Sequence, residues 1–130
     1  MGFSMHAFTL VVPSYDEGIA FYVGTMGFTL TADTDLGNAK RWVLVTTGGA
    51  GGCSILLARA TDEAQVAAVG NQTGGRVGFF LKTDDFDSDY ANMKAAGVTF
   101  EEEPRDMPYA KVVVWRDPFG NRWDMLQSKK

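Results

Sequence analysis

The 130-residue chain repeats itself, and that repeat limits its fold more than any other feature. Tyr15-Asp16 and Phe86-Asp87 open two helical segments at an offset of 71 residues. Gly27-Phe28-Thr29-Leu30 matches Gly97-Val98-Thr99-Phe100 at an offset of 70, and Arg41-Trp42-Val43-Leu44 matches Lys111-Val112-Val113-Val114 at the same offset. Gly52 and Gly120 each precede the last strand of their half, 68 residues apart.

Local signals give both halves one order of elements. In the first half, the β-rich run 7–12 stops at Pro13. Ser14 then starts a helix, with Glu17 completing a capping box and Ile19, Tyr22, Val23 and Met26 at helical spacing up to Gly27. Strands are expected at 28–32, 41–47 and 54–58, separated by the turn-rich clusters 33–38 and 48–52. A short helical linker at 62–69 and the polar loop 70–75 lead to the second half. There a strand at 77–83, a helix at 85–96 ending at Gly97, and strands at 98–101, 111–115 and 122–126 repeat the order. The fold class is therefore α+β: two tandem βαβββ modules, about 6–59 and 76–127, joined by a linker at about 60–75 into one domain spanning 1–130. One module cannot bury both faces of a short sheet. Two can curve their mixed sheets into a common cup with the helices outside, which makes the cup interior the expected ligand site.

Composition narrows the function. A formal net charge of −4 and a pI near 4.8 disfavour nucleic-acid partners. No apolar run has the length of a membrane span, and residues 1–13 lack the features of a secretory signal. The single cysteine, Cys53, excludes an internal disulfide and fits a reducing, cytoplasmic setting. Neither a Gly-x-Ser-x-Gly elbow nor a recognisable base partner for Cys53 supports nucleophilic catalysis.

Three stretches in order, Leu10-Val11-Val12-Pro13 through Ala20-Phe21-Tyr22 to Met26-Gly27-Phe28, Asp84-Asp85-Phe86 to Ala95-Ala96-Gly97-Val98, and Asp117-Pro118-Phe119-Gly120-Asn121, resemble the vicinal oxygen chelate superfamily of glyoxalases, bleomycin-resistance proteins and extradiol dioxygenases. The resemblance spans at least residues 6–127 and implies the cup fold and a homodimer. It also implies four metal-ligand positions, in the first and last strand of each module, which fall here on Ala7, Leu56, Gly78 and Asp124. The repeat relates Ala7 to Gly78 and Leu56 to Asp124 by the same offsets, 71 and 68. Of these four, Asp124 alone carries a donor, whereas a bound divalent ion needs about three. His6 lies one residue from a ligand position and so belongs to the opposite strand face. The expectation is therefore no metal, with a divalent-metal site as the alternative.

Strand alternation places Ala7, Thr9, Val11, Ser54, Leu56, Arg76, Gly78, Phe80, Lys82, Arg122, Asp124 and Leu126 in the cup. Arg76 and Arg122 could hold an anion, or Arg122 could simply pair with Asp124. Trp42 and Trp115, on the third strands, are candidates to stack on a planar ligand, and Trp123 is read as packing. Glu101, Glu102 and Glu103 read as a solvated strand end, loop 71–75 as a linker or a pocket rim, and Arg105 and Tyr109 as lid candidates. The resulting expectation is a small-molecule-binding protein of the bleomycin-resistance kind, with an apolar or aromatic ligand. The alternatives are a metal-dependent lyase, isomerase or dioxygenase, or a metal-free acid–base enzyme with Asp124 as base. The sequence leaves the ligand, and whether any reaction occurs, undecided.

Overall fold

In a computed structural model describing residues 2–49 and 51–129, the chain separates into two compact units, 1–69 and 70–130. Each holds one helix-backed mixed sheet. In the first unit, β1 (Ala7–Val12), β2 (Thr29–Gly37), β3 (Lys40–Thr46) and β4 (Ser54–Arg59) lie in the order β1-β4-β3-β2. β1 and β4 are parallel and the other pairs antiparallel. In the second unit, β5 (Phe79–Lys82), β6 (Thr99–Phe100), β8 (Ala110–Arg116) and β9 (Arg122–Ser128) lie in the order β5-β9-β8-β6, and β7 (Arg105–Asp106) pairs with β8. The parallel β5–β9 pair repeats β1–β4. The expected α+β architecture, with its duplicated order, is what forms.

The capping signals act as read. Ser14 accepts a hydrogen bond from the Glu17 amide at 3.1 Å and its hydroxyl donates to the Glu17 carboxylate at 2.8 Å. It thereby starts α1 (Tyr15–Ile19). This helix continues as a π-helical stretch, Ala20–Thr25, in which Met26 N donates to the Phe21 carbonyl. Both neighbours Phe21 and Tyr22 are buried there, edge to face at 5.0 Å, and Tyr22 stacks on Phe28. Gly18 lets the helix approach the sheet: a Cβ there would stand 3.1 Å from Leu57 and 3.3 Å from Val12. The linker forms α2 (Glu63–Ala68), capped by Asp62, and α3 (Phe86–Ala95) is capped by Asp85.

One expectation fails. The cluster 33–38 is not a separator, because β2 runs through it to Gly37 and the chain reverses at Asn38 and Ala39, both at positive φ. This turn closes a hairpin whose outer strand is held by backbone pairing and is almost wholly exposed. Such a strand has no buried face and hence no apolar alternation to read.

Cores lie between each sheet and its helix. Leu10, Val12, Val43, Val45 and Leu57 are fully buried in the first unit, as are Phe86, Val113, Trp115 and Met125 in the second. Each contributes about 1.5–3 kcal/mol of transfer free energy. Among the described residues, no helix is long and apolar enough to cross a membrane.

Candidate functional site

Side-chain parity, fixed by which residues meet the helices, defines the opposite sheet face in each unit. In the first unit Val12 and Leu57 face α1, and Arg41 N donates to Tyr15 Oη. Thr9, Trp42, Leu44, Ser54 and Leu56 therefore occupy the helix-free face. In the second, Gln127 accepts a hydrogen bond from the Phe86 amide and Lys111 pairs with Asp87, both on α3. Trp123 and Met125 share that side. Arg122, Asp124 and Leu126 point the other way, beside Phe80, which pairs with Asp124 across β5–β9.

The register reproduces the repeat: Thr9 opposes Leu56 as Phe80 opposes Asp124, at the same offsets of 71 and 68. The candidate residues thus hold corresponding places within each unit. Exposure separates them. Phe80 is 66% and Trp42 41% exposed, while Leu56, Ser54 and Asp124 are half-buried and Thr9 is exposed.

Trp115 is a correction. It is fully buried and stacks on Trp123 at 5.0 Å, so it is core and cannot meet a ligand. The 70-residue offset maps Trp42 onto Val112, not onto Trp115, and the counterpart of Trp115 is the buried Val45. The two tryptophans occupy third strands but opposite faces.

The arginines also behave differently from expectation. Arg122 pairs with Glu101, not Asp124: Nε and Nη2 donate to the two carboxylate oxygens at 2.8 and 2.9 Å, and Nη1 donates to the Gly75 carbonyl at 3.0 Å. Arg116 Nε joins the same carboxylate at 2.8 Å. The Arg122 hydrogen bond, followed by the charge of Arg116, holds the Glu101 carboxyl below its usual range. Every nitrogen of Arg122 already donates, and Arg76 stands exposed ahead of β5. A two-arginine anion clamp is therefore not assembled. Glu102 is also engaged, accepting from Val114 N at 2.9 Å and pairing with Arg105 at 3.1 Å. The acidic run after β6 was the available signal for these contacts. Arg105 lies in β7, pinned to β8, so it is no free lid, while Tyr109 beyond it is exposed.

Asp124 lies outside these ion pairs. One carboxylate oxygen is occluded and accepts no hydrogen bond among the described residues. Burial pushes the carboxyl above its ordinary range, opposed by the charge of Arg105 and reinforced by that of Glu102. Asp117, by contrast, is fully satisfied. Its Oδ1 accepts from the amides of Phe119, Gly120 and Asn121 at 2.9–3.0 Å, so the 117–121 motif builds the turn into β9.

The four expected metal-ligand positions do not form a donor set. Ala7, Leu56 and Gly78 offer no donor, and His6 stands exposed ahead of β1. At Gly78 a Cβ would come within 2.5 Å of Thr73 Cγ2, so the chain fills the place a ligand side chain would take. Loop 71–75 closes onto the second sheet: Thr73 Oγ1 donates to the Arg76 carbonyl, and Gln72 Nε2 to Asn121 Oδ1. Among the described residues no three His, Cys, Asp or Glu side chains gather.

Comparison with known proteins follows the same outline. The model of the Glyoxalase/Bleomycin resistance protein/Dioxygenase superfamily matches residues 4–125. An uncharacterised protein of Shewanella frigidimarina (strain NCIMB 400) is 48% identical over 119 residues, 91% of this chain and 88% of its own. UcmS2 superposes with a TM-score of 0.83 at 25% identity, covering 97% of this chain and 98% of its own. TnmS3, an antibiotic binding protein from Streptomyces sp. CB03234, superposes with a TM-score of 0.78 at 30% identity over 99% of both chains.

Proposed function

The chain belongs to the Glyoxalase/Bleomycin resistance protein/Dioxygenase superfamily, and from that premise we propose that it binds a small apolar or aromatic molecule without a resident metal. The observation that carries the reading is the pair of aromatic side chains left uncovered on helix-free sheet faces, Phe80 and Trp42. A large exposed aromatic costs solvation unless something covers it, and a planar ligand is such a cover. Half-buried Leu56 in the first unit and Leu126 in the second each add apolar area to the helix-free face of their own sheet. The similarity to TnmS3, an antibiotic binding protein, supports the same class of ligand. Residues without donors at three of the four ligand positions support a metal-free site. Pairing of two chains and a cytoplasmic setting belong to the same proposal, resting on the family and on the free Cys53.

A thermal-shift and tryptophan-fluorescence screen against planar aromatic compounds and antibiotics tests it. Saturable binding that raises the melting temperature is expected; silence across a broad panel sinks the proposal. A stoichiometric, chelator-sensitive metal in the purified protein would overturn its metal-free part.

The half-buried, unpaired Asp124 favours a second reading, acid–base catalysis on the bound molecule. Asp124→Asn separates the two: unchanged binding with lost turnover of a ligand would make the protein an enzyme.

A further inference from the structure

We infer that the ligand presents a cationic nitrogen, which pairs with the Asp124 carboxylate while an attached ring covers Phe80. This rests on the small-molecule reading above and specifies its ligand.

Three observations converge. First, Asp124 and Phe80 are direct register partners on β9 and β5 and project from the same helix-free face. Neighbouring strands lie about 4.7–4.9 Å apart, the spacing between a ring and a substituent one or two bonds away. Second, the arginines of β7, β8 and β9 are already committed, and Lys82, the β5 cation on this face, opposes Leu126 and not Asp124. Arg116 and Arg122 share Glu101, and Arg105 is bound to Glu102. Within these groups three guanidiniums share two carboxylates, while Asp124 Oδ1, occluded from solvent, accepts no hydrogen bond among the described residues. Third, that carboxylate is half-buried beside apolar neighbours, with Val114 opposite it on β8 and Leu126 two residues along. A desolvated, unpaired carboxylate is costly, and the cost falls when a donor of opposite charge arrives. An anionic ligand in the same place would meet repulsion from Asp124, with Arg105, Arg116 and Arg122 already donating to Glu101 and Glu102 and Lys82 two residues along β5.

The ring of Phe80 adds to the preference, since a cation or electron-poor ring is attracted to its face. Charge thus sets the choice of ligand, and the exposed ring supplies contact area.

The test uses three planar probes of similar size: 9-aminoacridine, cationic at neutral pH, acridine, neutral, and anthracene-9-carboxylate, anionic. Dissociation constants are measured by fluorescence titration at pH 7.5 for the full chain, Asp124→Asn and Phe80→Ala. The expected order is 9-aminoacridine tightest, then acridine, then the carboxylate. Asp124→Asn, close to isosteric, should weaken 9-aminoacridine by about tenfold or more, the scale of a hydrogen bond to a charged group, and leave acridine within about twofold. Phe80→Ala should weaken both, which reports ring contact independently of charge. Equal binding of 9-aminoacridine and acridine, unaffected by Asp124→Asn, overturns the inference while the binding-protein reading stands. Tightest binding of the carboxylate overturns it as well. No binding of any probe removes both.

Discussion

Thr73 occupies the space a side chain at position 78 would need: a Cβ on Gly78 would lie 2.5 Å from Thr73 Cγ2. The contact joins the loop entering the second unit to the first residue ahead of β5. Thr73 is fixed in place because its hydroxyl donates to the Arg76 carbonyl. The glycine is therefore required by a close approach, since Gly78 is not at positive φ.

Gly78→Ala should lower stability by about 1–3 kcal/mol, the usual cost of overpacking. Thr73→Ser keeps the hydroxyl and removes the methyl that collides, leaving Oγ1 at an ordinary 3.4 Å. In urea denaturation the double variant should recover much of the loss. Purely additive effects would mean that the contact does not govern the position.

Asp124→Asn should leave the protein at least as stable as the parent at pH 7. Burial raises the Asp124 carboxyl, so the native state holds its proton more tightly than the unfolded chain does. The linked stability is then greatest below the unfolded value of about 4 and falls as pH rises through the native one. The advantage of asparagine should shrink on going from pH 7 to pH 3.5. Denaturation curves at the two values check the sign, and a variant less stable at pH 7 would contradict it.

Glu101→Gln acts in the opposite direction. The Glu101 carboxyl is lowered, first by its hydrogen bond with Arg122, so its contribution is present at neutral pH and disappears as pH falls through the native value. Partial exposure keeps the expected loss near 0–1 kcal/mol at pH 7, and smaller in high salt. The same change frees Arg116 and Arg122, so affinity for an anionic aromatic such as anthracene-9-carboxylate should rise. Calorimetric titration reads that gain.

The three tryptophans should separate by solvent access. Acrylamide should quench Trp42, 41% exposed, and barely touch Trp115 and Trp123. Trp42→Phe should remove most of the quenchable emission with little loss of stability. Trp115→Ala should cost about 3–5 kcal/mol, as for a large core side chain. Strong quenching that survives in Trp42→Phe would refute this assignment.

Much of this arrangement was legible in the residues because the signals are local or periodic. Ser14 and Glu17 are three residues apart, and Gly27 and Gly97 adopt the positive φ that ends their helices. The offsets of 71 and 68 placed Leu56 and Asp124 in matching registers, because alternation fixes which face a strand residue takes. Where reasoning ran by strand instead of by parity, as for Trp115, it erred. Glu101 lies 21 residues from Arg122 in sequence, and no periodic signal joins them.

The sequence by itself determined the duplicated βαβββ order, the family, and the lack of donors at three of the four ligand positions. Those follow from residue identity, capping and periodicity, which act within a few residues. Tertiary structure decided which charges are spent and which remain. Glu101 captures both Arg116 and Arg122, Thr73 fills the space at Gly78, and half-buried Asp124 keeps one oxygen without a hydrogen bond among the described residues. Ion pairing and steric exclusion depend on distances of a few ångströms between residues far apart in the chain, and only the folded sheets set those distances.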